Sequence, residues 1–426
     1  MTQAATRWPA VTAAFAAGVA IALNVGKVPV ALPPLRAELG LSLVQAGWVS
    51  SMLTSVALLM GAFIGMWVGR LGAMRMVLGG LLVCCTGSLV PLLLSPGFAL
   101  LLAGRFIEGL GFMCVAVAAP ALISSAAGPQ DRRFALGLWS AYMPAGAGLA
   151  MALSPALLPQ AGWRALWLLA AAGLLAASLA VWSQRRHWRP PTPAATPACG
   201  GEPAAAAGTA TGAGSRAIAA GPGFWAPVRT AVAHPLPWLL AVAFGAWAVQ
   251  HFALIVWMPT YLREVRGAGA GLTALLTSAM LLACVPGNVL GGSLVQRGLS
   301  RGGLIAAAHV ATGVGALAYT WAALPDVLRY TAAVFVSFAG GVIPAAVMAS
   351  TTVLARSPQQ IGTLQGLYLQ GAQLGQFVGT PLIAAVVAAS GQWRSSLWVS
   401  GLSAIAGIGL GLVARRIEPS LPRPST

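Results

Sequence analysis

Charge is what this sequence has least of. Only 7% of its 426 residues are Asp, Glu, Lys or Arg, against 58% apolar, and mean hydropathy is +0.82. No soluble domain of that length tolerates such a balance. Acidic residues number 7, and lysine occurs once, at Lys27; every other basic residue is arginine. No nucleophile–base pairing or phosphate-binding loop is present, so the sequence points away from an enzyme and from ATP as an energy source. Cysteine is equally sparse. Cys84, Cys85, Cys114 and Cys284 fall in apolar runs and Cys199 in a polar stretch. Their spacing matches no metal site and none faces an oxidising compartment, so neither metal, cofactor nor disulfide is expected.

What fills the chain instead is apolar segments of about 20 residues, the length that crosses roughly 30 Å of hydrocarbon. Twelve are placed near 9–33, 43–68, 74–95, 98–123, 135–158, 163–183, 236–261, 271–295, 303–324, 328–354, 361–388 and 394–414. The first is longer than a signal-peptide core and reads as a retained span. Connections are short except for about 184–234. That stretch is rich in Pro, Ala, Gly and Thr and opens on Arg185-Arg186-His187-Trp188-Arg189. It is expected to be a flexible linker behind a stop-transfer charge cluster.

The last six segments read as a diverged copy of the first six. Gly162-Trp163-Arg164 returns as Gln392-Trp393-Arg394, the tryptophans 230 residues apart. Pro129-Gln130, Gly137-Leu138 and Gly146 return as Pro358-Gln359, Gly366-Leu367 and Gly375, and Gly65 with Arg70 returns as Gly292 with Arg297. The expected fold is an all-α integral membrane protein. Its twelve transmembrane helices form two six-helix pseudo-symmetric bundles, 1–183 and 235–426, joined by the linker 184–234, an organisation typical of transporters.

The formal net charge of +17 invites a nucleic-acid reading, which its distribution rejects. With both termini in the cytoplasm, sixteen of the 24 basic residues fall on the inner side and six outside, while Lys27 and Arg105 lie within spans. That is the positive-inside bias of a multi-pass protein of the cytoplasmic (inner) membrane. The expected partners are the lipid bilayer, a small solute and a proton, with no nucleic acid and no second subunit.

With these residues in view, the chain resembles the major facilitator superfamily over essentially its whole length. The loop Gly65-Met66-Trp67-Val68-Gly69-Arg70-Leu71-Gly72 is similar to that family's Gly-x-Leu-Ala-Asp-Arg-x-Gly signature, with Gly69 in place of the acid. The second-half copy, Gly292 to Arg297, also lacks the acid. The resemblance implies a conformational latch at Gly65, Arg70, Gly72, Gly292 and Arg297, weakened by the missing carboxylate. Arg105-Phe106-Ile107-Glu108-Gly109-Leu110-Gly111 is similar to the family's arginine-containing fourth-helix motif. Trp257-Met258-Pro259-Thr260-Tyr261-Leu262 resembles a segment of anion symporters and of the cyanate and nitroimidazole porters.

An ionisable side chain in hydrocarbon costs several kcal/mol, which makes each one a functional candidate. Lys27, Arg105 and Glu108 qualify. Lys27 and Arg105 lie at similar depth, about 9–10 Å below the outer boundary at 1.5 Å per residue. Asn24 is one turn from Lys27 on the same face, and Glu108 follows Arg105 at i+3. In one reading Lys27 and Arg105 clamp an anion while Glu108 carries a proton; replacing Lys27 by Ala then abolishes binding and leaves folding intact. In the other, Lys27 snorkels to the interface and Arg105–Glu108 braces the fourth span. Gln250 and His251 near the middle of span seven, Tyr142 in span five, and Tyr368 and Gln373 in span eleven are further candidates for substrate contact, with interhelical hydrogen bonding as the alternative. Two intramembrane cations against one acid favour an anionic solute. The leading expectation is proton-coupled uptake of a small organic or inorganic anion by alternating access. The alternative is a proton-driven exporter of drugs or metabolites, whose span-five Gly-x-x-x-Gly-Pro pattern the segment from Gly137 to Gly148 echoes in part.

Overall fold

The structure is a computed structural model. It describes residues 5–94, 97–128, 130–131, 135, 138–139, 141–188, 233–354 and 358–418, the side chains of 59–70, 352 and 358–362 excepted. All regular structure among them is helical. The expected linker lies outside the described residues from 189 to 232, as do Cys199, Pro129 and Gly137.

Apolar length decides where the helices run. Spans one to four are Trp8–Leu39, Leu43–Leu71, Ala73–Leu93 and Phe98–Ala126. Spans five and six lie within one assigned helix, Tyr142–Ser183, interrupted at Ala161 and at Gly162 with φ 59°. The interruption is a reversal. Ala150 and Ala170 both close on Leu23, yet on a straight helix they would sit about 30 Å apart at 1.5 Å per residue. Spans seven to nine are Pro235–Glu264, Ala270–Gln296 and Arg301–Thr320. Span ten, Asp326–Ala349, is interrupted at Gly341, and spans eleven and twelve are Pro358–Ser390 and Ser396–Ile417. Span one runs several residues beyond its expected end, to Leu39, despite Pro29, Pro33 and Pro34.

The duplication is visible in the backbone. The described residues with positive φ are six glycines that fall into three pairs. Gly40 (62°) matches Gly267 (63°), Gly72 (82°) matches Gly298 (85°), and Gly162 (59°) matches Gly391 (67°). Each closes the same loop in its half, where any residue with a Cβ would be strained. At the signature loop the structural counterpart of Gly72 is thus Gly298, just after Arg297.

Two of the large apolar cores belong to one half each. One, around Val77, Val115, Leu122 and Leu174, lies in the first half; the other, around Leu240, Ile305, Ile343 and Tyr368, lies in the second. Both sit toward the membrane face that carries the chain termini. At the opposite, far face a third core is shared: Leu32, Leu35 and Trp163 from the first half meet Trp257, Met280 and Ile383 from the second. Packing between halves runs through spans one with seven, two with eleven, and the five–six hairpin with eight. Gly47 and Pro381 approach so closely that a Cβ on Gly47 would lie 2.9 Å from the Pro381 backbone. Trp48 meets Phe377 edge-on at 5.2 Å, and Arg36 pairs with Glu264 at 2.8 Å. At the far face the two halves are closed against each other.

Candidate functional site

Spans three and four carry glycines at matching positions, Gly80 and Gly87 against Gly104 and Gly111. A Cβ on Gly87 would fall 2.6 Å from the Glu108 backbone nitrogen. Small residues of this kind let membrane helices meet backbone to backbone. The consequence is local and chemical: Ser88, next to Gly87, is brought against the Glu108 carboxylate. On the other side of span four, Gly109 touches the Leu53 carbonyl of span two, so Arg105, one turn earlier, lies beside Val49.

Four of the candidate residues meet there in one sealed cluster. Lys27 Nζ donates to Glu108 Oε1 at 2.6 Å, to Asn24 Oδ1 at 2.6 Å and to Ser88 Oγ at 3.0 Å. Those are three acceptors for the three protons of an ammonium. Its remaining face lies over the Trp167 ring, 4.5 Å from the centroid. Glu108 Oε1 also accepts from Ser88 at 2.7 Å, and Oε2 accepts from Arg105. Arg105 further donates to the Asn24 carbonyl at 2.9 Å and the Val49 carbonyl at 3.2 Å. Asn24 Nδ2 completes the set on Cys84 Sγ at 3.4 Å. Asn24, Lys27, Ser88 and Glu108 are 0% exposed and Arg105 2%. Spans one, two, three, four and six are all tied to one carboxylate.

Both sequence readings of this group gain a part. Lys27 does not snorkel; it points into the first bundle. Yet in this conformation both cations are directed at Glu108 rather than at an opening. Ser88, Cys84 and Trp167 are not among the expected residues, because Ser and Trp are unremarkable in apolar helices until a charge is found beside them.

The second-half candidates form no such cluster. Gln250 is buried and donates through Nε2 to Thr312 of span nine at 3.0 Å, while its Oε1 has no partner among the described residues. His251 stacks on Trp247, 4.4 Å between centroids and 18° between planes; neither its Nδ1 nor Trp247 Nε1 has a partner among the described residues. Tyr368 is fully buried and accepts from Ser350 Oγ at 2.9 Å, facing span ten. Gln373 is half-buried with Oε1 unpartnered among the described residues. Tyr142 stacks on Trp139 at 4.3 Å, against Gly18 of span one. Of the expected latch, Gly72 and Arg297 end their helices, Gly292 lies on span eight, and the side chains of Gly65 and Arg70 are outside the described residues.

A family profile described as Major Facilitator Superfamily matches residues 13–380. The chain belongs to that superfamily. Among solved structures it is similar to a bacterial homolog of the human lysosomal transporter Spinster in an inward-facing, unoccupied conformation. That likeness has 16% identity, covers 99% of this chain and 100% of the other, and gives a TM-score of 0.78. The occupied, inward-facing form of that protein gives the same TM-score and identity, covering 99% of each chain. The POT family transporter PepTSo is similar at 13% identity and TM-score 0.69, over 97% of this chain and 98% of that one. No curated protein matches the chain. This superfamily chain is therefore a multi-pass membrane transporter in fold and family.

Proposed function

We propose that the chain carries a small anion across the cytoplasmic membrane together with a proton, by alternating access, with both termini inside and the far face outside. The observation that carries this reading is one buried carboxylate, Glu108, shared between the two buried cations of the described residues, Lys27 and Arg105. With all three ionised the cluster holds one net positive charge. A proton on Glu108 leaves both cations without a counter-ion. Buried, unpaired charges are costly, so an entering monoanion is favoured in that state and disfavoured in the other. Proton and anion then occupy the site together or not at all, which is coupling.

Release of Glu108 has a second effect. Its carboxylate is the common acceptor that holds spans one, three and four together, so loading the site loosens the same contacts that a conformational change must break. The resemblance of Trp257 to Leu262 to anion symporters supports an anionic solute. In the second half, His251 Nδ1 and Gln373 Oε1 offer neutral hydrogen-bonding groups to its remaining atoms. In this orientation the contacts between the halves at the far face close the outer side.

The test is flux. Purified protein in liposomes containing a pH-sensitive dye is given an acid-outside gradient and a panel of labelled monoanions, from formate to aromatic carboxylates. One of them accumulates above its external concentration and acidifies the lumen in step. Flux of a solute with no dependence on the pH gradient sinks proton coupling. Accumulation of cations or neutral drugs alone sinks the anion and favours the exporter.

A further inference from the structure

The duplication supplies an internal control for the far face of each half. At the far face of the first half, Glu38 at the end of span one pairs with Arg164 at 2.7 Å and accepts from Trp163 Nε1 at 3.0 Å. Trp163 and Trp167 are buried there and fill the space between helices. The counterpart of Glu38, 226 residues on, is Glu264, but Glu264 is drawn across to Arg36 of the first half. The side chain of Arg394, the counterpart of Arg164, is left exposed with no ion-pair or hydrogen-bond partner among the described residues. Trp398, the counterpart of Trp167 in the sequence repeat, is 73% exposed.

Where the first half is filled, the second is therefore open. A cavity of about 550 Å³ lies between spans seven to twelve at the far face, within the range of about 300–1,000 Å³ that holds drug-sized ligands. Its inner wall is apolar, with Ala253, Leu254, Met258, Leu276 and Ile383 among its lining. Its charged lining residues are Arg266, Arg329 and Arg394 with Asp326. Asp326 is shared by Arg266 at 3.0 Å and Arg329 at 3.6 Å. Three guanidiniums against one carboxylate leave an excess of two positive charges beside an apolar chamber.

We propose that this cavity binds an amphipathic anion, an acyl-type apolar tail with a single carboxylate or phosphodiester head placed on Arg394. The tail covers apolar wall that is otherwise unfilled, and the head supplies the counter-ion that Glu38 supplies to Arg164 in the first half. The site is separate from Glu108 and its partners, so it stands whether or not those residues carry a proton.

The cavity carries its own reporters, since Trp257 and Trp393 line it. Purified full-length protein in detergent is titrated with 9,10-dibromostearic acid, whose bromines quench nearby tryptophan, and separately with its uncharged methyl ester. The acid is expected to quench saturably with at least tenfold higher affinity than the ester. Arg394→Gln, which removes no internal contact and so leaves folding untouched, is expected to weaken the acid tenfold. Arg164→Gln, changing the paired counterpart, is expected to leave it unaltered. A second arm places the protein in nanodiscs of brominated phosphatidylglycerol or brominated phosphatidylcholine. Quenching by the anionic lipid that depends on Arg394 identifies a bilayer lipid as the source; Arg394 dependence with the free acid alone identifies a free carboxylate. Acid and ester quenching alike, or Arg394→Gln behaving as wild type in both arms, overturns the site.

Discussion

The two halves descend from one plan yet treat polar groups in opposite ways. Every buried charged side chain among the described residues, Lys27, Arg105 and Glu108, is in the first half, and each is matched by partners. The buried side-chain atoms without a partner among the described residues are, with the exception of Arg36 Nε, all in the second half: Trp247, Gln250, His251, Thr260, Ser278, Arg301, His309, Ser337 and Gln373. Charges cannot be left bare in hydrocarbon, whereas a neutral donor or acceptor can be, at about 1–3 kcal/mol. One half can therefore hold a charge switch only in a sealed form. The other can hold hydrogen-bonding capacity in reserve for a solute. The same backbone supports both because a close helix approach is repeated: Gly146 against Val19 in the first half, Gly375 against Gly245 in the second.

The largest effect comes from breaking the sealed side. Glu108→Leu strands two buried cations, and removing one partner from a buried pair costs about 3–5 kcal/mol. Gln250→Leu in the second half breaks only the bond to Thr312, and costs about 1–3 kcal/mol. Thermal unfolding of the purified variants separates the two. Equal losses would mean that the first-half cluster is no more than ordinary interhelical hydrogen bonding.

Glu108→Gln sharpens the comparison. A neutral amide keeps the shape of the protonated carboxylate, so the cluster carries two uncompensated charges until an anion arrives. The variant is expected to unfold at lower temperature than wild type without solute, and to gain more stability than wild type from a transported anion. In liposomes it should retain exchange at equal concentrations and lose accumulation driven by the pH gradient. Unaltered proton-driven uptake would remove Glu108 from coupling and turn attention to His251.

Lys27→Met is milder. It leaves Arg105 and Glu108 as a neutral pair, so the loss is that of the Lys27 bonds to Glu108, Asn24 and Ser88 and of the contact with Trp167, about 1–3 kcal/mol. Uptake should nevertheless fall to background, since one cation cannot hold both Glu108 and a solute. The anion-clamp reading of the sequence has Lys27→Ala leave folding intact. Full burial of Lys27 changes that expectation, because alanine also opens a cavity. Lys27→Arg, with a bulkier head in a site with no exposed surface, should be impaired as well. Wild-type uptake by a folded Lys27→Met protein would reduce the residue to packing.

Much of this arrangement is legible in the amino-acid sequence. Span positions follow from hydropathy, and Lys27, Asn24, Arg105 and Glu108 declare themselves because hydrocarbon tolerates ionisable groups only for a reason. The direction in which Lys27 points is not legible, since its long stem reaches the interface or a neighbouring helix equally well. Ser88 and Trp167 can be recognised only through that direction. Gln250 and Tyr368 are candidates for a central cavity by their place in spans seven and eleven, yet they face spans nine and ten. Helical periodicity assigns a face but not its neighbour. The open chamber behind Arg394 depends on which partner Glu264 chooses, a contact between halves that no local pattern encodes.

The smallest effect expected is on the unsealed side. His251 stacks on Trp247 and offers a buried Nδ1 with no partner among the described residues. His251→Phe keeps a ring for the stack and deletes the unmatched nitrogen. Within the empty protein this removes a polar atom that gains nothing, so stability should be unchanged or rise by up to about 1 kcal/mol. With solute present, the lost hydrogen bond is one of about 0.5–1.5 kcal/mol. KM for uptake should then rise about twofold to twelvefold with proton coupling preserved. Opposite signs in the two assays are the signature of capacity held for a ligand. A fall in stability with KM unaltered would instead make His251 a packing residue, and the second half's unmatched atoms would lose their connection to transport.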